Sequence, residues 1–221
     1  MNLRFQILLF VLSISLASLA SPTDSISTVY RDGEFVTYCQ VWVKASDSIS
    51  SAAANDFDYQ MRYDLDALFG WAFKGLNLRK EKKDLMLFYF KSTNFNKETG
   101  VIRGKGDVII TDMITYPNII VDCKLSKKDY TSGKSEFYID LLYSNGFIKK
   151  MYATFTVVPK KEVGTWYISE NHVRFGWFFD IFITQSRFKT IMEWRLKRFV
   201  NNLRSEAERR EKLIKKLTPN P

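Results

Sequence analysis

The stretch Ser186–Leu217, SRFKTIMEWRLKRFVNNLRSEAERREKLIKKL, decides the fold. Phe188, Ile191, Met192, Leu196, Phe199, Leu203 and Ala207 recur at three- and four-residue intervals, the stripe of a helix that buries one face, and Ile214 and Leu217 extend it. At 1.5 Å per residue such a rod is ~48 Å long, more than a sheet of six-residue strands needs, so the turns beyond about Glu206 are expected to project into solvent. Pro219 and Pro221 end it. Eleven of these residues are Lys or Arg and four are Glu, a net +7 out of the +9 of the whole chain. With Arg4 set aside, Ser21 to Gln185 is left at only +1. A rod with so much charge on one side and an oily stripe on the other requires an apolar surface elsewhere to receive it.

Working back from this helix, Phe175-Gly176-Trp177-Phe178-Phe179-Asp180-Ile181-Phe182 leads the chain into it. An aromatic cluster at such a corner reads first as core, and second as the mouth of an apolar pocket. Upstream, Leu85–Ser92, Val101–Ile110, Ile119–Leu125, Phe137–Tyr143, Phe147–Val158 and Thr165–Val173 have strand composition, and turn residues separate them. Ser144-Asn145-Gly146 suits a tight hairpin, Asn96–Gly100 a second, and Lys127–Lys134 with Gly133 a looser third. After Gly146, Met151, Ala153, Phe155 and Val157 fall on one side and Lys150, Thr154 and Thr156 on the other, so one sheet face is buried and the other partly wet. Gly104 and Gly106 inside a strand imply a bulge or a sharp bend.

Glu34–Lys44 alternates as a strand with two partly buried faces. Ala45–Asn55 lacks periodicity and reads as a connection, with a short helical turn as the alternative. From Asp56 the period changes, and Met61, Leu65, Leu68, Ala72 and Leu76 share a helical face. The aspartates at 56, 58, 64 and 66 lie early in it, Lys74 and Gly75 lie at its end, and a charged loop over Arg79–Asp84 follows. The fold read from this order is α+β. A curved antiparallel sheet of six or seven strands packs against the long C-terminal helix, and one helix is inserted after the first strand.

The N-terminus has Arg4, an apolar run from Phe5 to Leu12 continued by Ile14 and Leu16, and Ser18-Leu19-Ala20 ahead of Ser21-Pro22. This is the layout of a secretory signal peptide with cleavage after Ala20, and it places the mature protein in the periplasm or outside the cell. A retained anchor competes, since Phe5–Thr23 carries no charge. Serines at 13, 15 and 18 dilute the stretch, however, and no positive stop follows. The organisation is then a leader over 1–20, a disordered polar lead-in over 21–30, a single domain over 31–217 and a flexible tail over 218–221. No later apolar run approaches spanning length, so the mature chain holds no integral membrane span.

Cys39 and Cys123 are the only cysteines. An exported chain permits one disulfide between them, and two buried thiols acting as small apolar residues is the equal alternative. Two cysteines and one histidine match no zinc spacing, so no metal is expected, and no cofactor signature is present.

His172, the only histidine, would have to serve any nucleophile–histidine–acid arrangement, and no serine is marked as its partner. Asp56 with Asp58, and Asp64 with Asp66, are two residues apart on a helix and do not share a face. Gly104-Lys105-Gly106 precedes no helix and cannot cradle a phosphate. No catalytic residue is assigned and the chain reads as non-enzymatic. The basic face, chiefly Lys197, Arg198, Arg204, Arg209 and Arg210, would suit nucleic acid in a cytosolic protein. Export argues against that, and leaves an anionic membrane or envelope surface, or simply a solvated face.

Two families resemble parts of this chain. Lys97–Gly106, Phe137–Leu142 and the Asn145-Gly146 turn are similar to an exported bacterial domain of unknown function with a TATA-binding-protein-like β-α-β4-α fold, over roughly Glu34–Val158. The strand count and the aromatic lead into a long last helix resemble the helix-grip fold of START-like and polyketide-cyclase-like proteins. That second resemblance implies an apolar ligand cavity between sheet and helix, lined here by Met151, Phe155, Phe188, Met192 and Phe199. The expectation is an exported, non-catalytic binding domain for an apolar small molecule. Its rival is an envelope module with a solid core that contacts an anionic surface through the basic helix.

Overall fold

The computed structural model describes residues 22–76, 86–110, 114–160 and 164–217. The leader over 1–20, the charged loop over 79–84 and the tail over 218–221 lie outside the described residues. The elements are β1 (Ser25–Arg31), β2 (Glu34–Val43), α1 (Asp47–Tyr63), α2 (Leu65–Gly70), β3 (Met86–Asn96), β4 (Val101–Ile110), β5 (Ile114–Asp129), β6 (Ser135–Ser144), β7 (Ile148–Lys160), β8 (Gly164–Phe175), α3 (Trp177–Asp180) and α4 (Gln185–Leu217). The strands form one antiparallel sheet in the order β1-β2-β8-β7-β6-β5-β4-β3. The chain's first long strand, β2, pairs with its last, β8, and this brings the start of α4 back across the sheet's inner face.

The alternation expected in β2 and β7 is present. Phe35, Thr37, Cys39, Val41 and Val43 are all buried, as are Phe155 and Val157. α4 lies over β1, β2 and β8, with α1 packed beside it. Phe188, Leu196, Val200, Leu203 and Ala207 are its buried positions. Phe188 stacks on Phe35 with ring centroids 3.9 Å apart. The core is in two clusters along the helix. One, around Phe35, Phe147, Phe175, Phe179 and Ile183, underlies its first turns, and the other, around Phe57, Leu68, Phe155, Tyr167 and Leu203, underlies its second half. The aromatic corner is therefore core at Phe175 and Phe179, while Trp177 stays 79% exposed.

Three expectations are corrected, and one open alternative is decided. The polar lead-in is an ordered edge strand, β1, which makes the sheet eight-stranded. It turns at Asp32-Gly33, whose positive φ angles of 54° and 77° build a two-residue hairpin, and Thr28 Oγ1 meets Thr37 Oγ1 across it at 3.0 Å. Second, α1 begins at Asp47, within the stretch read as a connection, because the small residues Ser50, Ala53 and Ala54 continue the buried stripe back from Phe57. Asp64 breaks the helix at φ −150° and accepts from the Ala67 N–H at 3.1 Å, which caps α2. Third, α4 stays docked past Glu206. Glu208 accepts from the Lys44 N–H at 3.0 Å, Glu211 accepts from the N–H and hydroxyl of Ser46 at 3.1 and 2.8 Å, and only from Lys212 to Leu217 is every residue exposed. Of the two alternatives for the cysteines, the structure has the buried thiols: Cys39 and Cys123 are free on β2 and β5, four strand steps or roughly 19 Å apart along the sheet, too far for a disulfide.

Gly104 and Gly106 are buried, and the β4–β5 register shifts between Gly106 and Val108, the expected bulge. The Asn-Gly turn is less tight than its residues suggest. β6 pairs with β7 only from Ser135↔Val157 to Asp140↔Tyr152, while the Asn145 side chain bonds back to β5, accepting from the Ile120 N–H at 2.7 Å and donating to the Asn118 carbonyl at 2.9 Å. Behind this turn Gly176 donates its N–H to the Phe147 carbonyl at 3.1 Å, and a Cβ at 176 would stand 1.9 Å from the Gly146 carbonyl oxygen. With φ −65° and ψ 149° at Gly176, alanine is allowed by the backbone and excluded by its neighbour. Gly176→Ala is expected to cost about 1–3 kcal/mol through overpacking. The check is a lowered denaturant midpoint at unchanged slope.

Candidate ligand cavities and the basic helix

Between α4 and the inner face of the sheet lie two cavities. The first, of ≈ 210 Å³, is walled by Phe57 and Met61 of α1, Phe73, Leu125, Phe137, Ala153, Phe155 and the Leu196 and Phe199 turn of α4. The second, of ≈ 200 Å³, is walled by Phe147, Met151, Val173, Phe175, Ile183, Phe188 and Met192. They follow one another along the helix. Inward positions 151 of β7 and 173 of β8 belong to the second, and 153 and 171 belong to the first. Each is just below the ~300 Å³ at which ligand pockets usually begin.

Of the five residues expected to line one space, Met151, Phe188 and Met192 line the second cavity and Phe155 and Phe199 the first. The aromatic walls brace one another at an angle. Phe57 lies 5.2 Å from Phe199 and 6.1 Å from Phe155, and Phe137 lies 5.9 Å from Phe155, centroid to centroid. The α1 wall and the polar inward positions of β8, Ser169 and Asn171, were missed. A period-two reading of Tyr167, Ser169, Asn171 and Val173 marks the latter, and the Phe57–Met61 spacing marks the former.

The polar groups at the first cavity are few. Asp58 is held by Arg62, whose Nε and Nη2 donate to its two oxygens at 3.1 and 2.7 Å, and the Arg62 guanidinium lies 5.5 Å from the Phe95 ring centre. Ser169 donates to the Thr154 carbonyl at 3.1 Å, and Asn171 Nδ2 donates to Ser169 Oγ at 3.1 Å. A wider groove of ≈ 750 Å³ lies outside the helix end, beside Trp42, Ser46, Asp47, Glu211 and Lys215. Its polar groups are engaged with one another: Glu211 with Ser46 and Lys215, and Asp47 with Thr165.

The five cations expected to face an anionic surface are not one open patch. Arg204 donates to Asp24 at 2.7 Å, while the same carboxylate accepts from the Trp42 N–H at 2.9 Å, so it staples α4 to the start of the sheet. Arg210 donates to Asp56 at 2.5 Å and to Glu206 at 2.8 Å, and Arg209 forks onto Glu206 with two bonds of 2.7 Å. Arg198 packs on Gly75 and donates to the Lys74 carbonyl at 3.4 Å, and Lys197 is exposed. The two arginines beside it hold the Glu206 carboxyl below its ordinary range, the hydrogen bond from Arg209 first among the causes.

His172 points to the opposite, outer face of the sheet, on the alternation that turns Asn171 and Val173 inward. There its Nε2 lies 2.7 Å from Glu170 and its Nδ1 3.8 Å from Glu34, beside the Tyr152 ring. Glu34 is held below the usual carboxylate range mainly by its hydrogen bond from Lys150. On the same face Glu136 accepts from Lys134, Tyr130 and Tyr138, which bring its carboxyl down to about 2. No described helix is long and apolar enough to cross a membrane.

The architecture, an antiparallel sheet wrapped around a long last helix with a helix pair inserted after the first long strand, is a helix-grip fold. The Zhui aromatase/cyclase from Streptomyces sp. R1128 superposes with a TM-score of 0.50 at 11% identity, over 80% of this chain and 95% of that one. A norcoclaurine synthase from Thalictrum flavum gives 0.46 at 13% identity, over 84% and 99%. A START superfamily protein from Mycobacterium smegmatis gives 0.43 at 12%, over 79% and 97%. No protein-family model matches the sequence, and no curated protein does.

The buried cysteines give a chemical check on the sheet. Burial pushes the Cys39 thiol up to about 11 and the Cys123 thiol up to about 12, from an ordinary value of 9.0. Because both are raised in the folded state, their contribution to stability is whole below pH 9 and is lost as pH rises through 11 to 12. At pH 8 neither thiol is expected to react with a disulfide reagent in native buffer, and both are expected to react in denaturant. A thiol count before and after unfolding checks this.

Proposed function

We propose that this chain is an exported, non-catalytic binding domain that holds an apolar small molecule between its sheet and α4. The single observation that carries this reading is the pair of aromatic-walled cavities beneath residues 188–199 of α4, in a core otherwise packed to full burial at Val200, Leu203 and Ala207. Each is a partly open cleft of ≈ 200 Å³ walled mainly by aromatic and aliphatic side chains with few polar groups, the lining that small-molecule pockets present. The helix-grip fold supports the same reading. The non-catalytic part is supported by the placing of His172 on the outer face, away from both cavities. The rival, contact with an anionic envelope surface, is weakened by the use of Arg204 and Arg210 to tie α4 to Asp24 and Asp56. Export rests on the Phe5–Ala20 leader sequence.

Binding of the neutral fluorophore N-phenyl-1-naphthylamine tests the cavity. Ala153→Phe fills the first space and Val173→Phe the second. At least one is expected to weaken binding tenfold or more, about 1.4 kcal/mol, while the melting transition stays cooperative. Binding that survives in the double variant would overturn the proposal. Export is tested separately by the intact mass of protein recovered from its own host's envelope, expected to start at Ser21.

A further inference from the structure

We infer that the occupant of the first cavity is a ring-bearing molecule with a single hydrogen-bond donor, a hydroxyl or N–H, and that Asn171 selects it. This rests on the cavity reading above and adds to it the chemistry of the ligand.

The inference comes from a short relay on the inner face. Ser169 spends its one hydroxyl proton on the Thr154 carbonyl at 3.1 Å, so its oxygen is left as an acceptor. Asn171 Nδ2 donates to that oxygen at 3.1 Å. The two bonds fix which way round the carboxamide sits, with nitrogen toward Ser169 and Oδ1 turned away. Among the described residues no donor reaches Oδ1, although Asn171 lines the first cavity among Phe57, Phe137, Phe155 and Phe199. Oδ1 is not among the buried unpartnered atoms, so it stays accessible at an otherwise apolar wall, and the partner it accepts is one that brings its own proton. A carboxylate ligand brings none, and Arg62, the cation nearest this wall, already spends its Nε and Nη2 on Asp58.

Size limits the class further. A dry apolar cavity of about 150 Å³ accepts benzene. At ≈ 210 Å³ the first cavity has room for one substituted ring, and its five phenylalanines, with Phe73 the fifth, present faces and edges to one. The inward neighbours fit this division of labour. Ala153 is small where the ring would lie, and the second cavity offers no comparable amide, its one charged lining residue being Arg195.

The test uses p-cresol and toluene, two probes of nearly equal shape that differ by one hydroxyl, measured by titration against the wild type, Asn171→Leu and Ser169→Ala. The wild type is expected to bind p-cresol at least as tightly as toluene, although the hydroxyl costs the phenol transfer energy on entering an apolar site. Asn171→Leu is expected to shift the preference five- to tenfold toward toluene with toluene affinity retained. Should that variant not fold, Ser169→Ala, which frees the amide to rotate, is expected to shift it in the same direction by about twofold or more. A wild type that prefers toluene tenfold, or a preference that no variant moves, overturns the assignment to Asn171 while leaving an apolar site in place. If neither probe binds, the cavity reading falls and this inference falls with it.

Discussion

A helix about 10 Å across cannot by itself cover the concave side of eight strands spaced about 4.8 Å apart. α4 is seated over β1, β2 and β8 at one side of that surface, and α1 closes the end beside its second half. What remains between α4 and β6–β7 has to be filled by side chains, and phenylalanines from four elements reach into it without closing it. The cavities are thus a consequence of where the helix is anchored. The anchor is a set of polar bonds in its C-terminal half: Arg204 to Asp24, Arg210 to Asp56, and Glu208 and Glu211 to the backbone of Lys44 and Ser46.

This gives the charge of α4 a structural meaning. Four glutamates among eleven basic residues look like a minority on a solvated face. Yet three of the four hold something: Glu206 takes two arginines, and Glu208 and Glu211 hold the N–H groups at the entrance to α1. Charge-assisted bonds of this kind specify position more than they add stability, since each partner gives up water to make them. They determine how far along the sheet the apolar stripe comes to rest, and so which side chains line the cavities.

The architecture was legible because period is a strong signal. The stripe on α4, the alternation of β2 and β7, and the glycine bulge in β4 all follow from where side chains must point. What was not legible depended on partners distant in the chain. Thr28 is polar and buried only because Thr37 faces it, and Asp24 is ordered by Arg204. Asp32-Gly33 did carry a hairpin signal, between two alternating runs, that the polar composition of 21–30 obscured. The start of α1 and the docking of the last turns of α4 were missed for one shared reason. A stripe of Ser and Ala has little hydrophobic contrast, and without α1 beginning at Asp47 the turns after Glu206 have nothing to lie against. For the site, the phenylalanines and methionines were accessible from composition, whereas the polar inward positions of β8 broke the expected apolar pattern and were passed over.

The parting of β6 from β7 beyond Asp140↔Tyr152 has its own effect on traffic. From there β6 travels with β5, to which Asn145 is bonded, while β7 travels with β8, and Met151 of β7 and Phe147 just before it wall the second cavity. On that flank no ladder is recorded between β6 and β7. Any molecule that crossed there would push rotamers aside and rupture no β6–β7 pairing, with the helix still clamped in place.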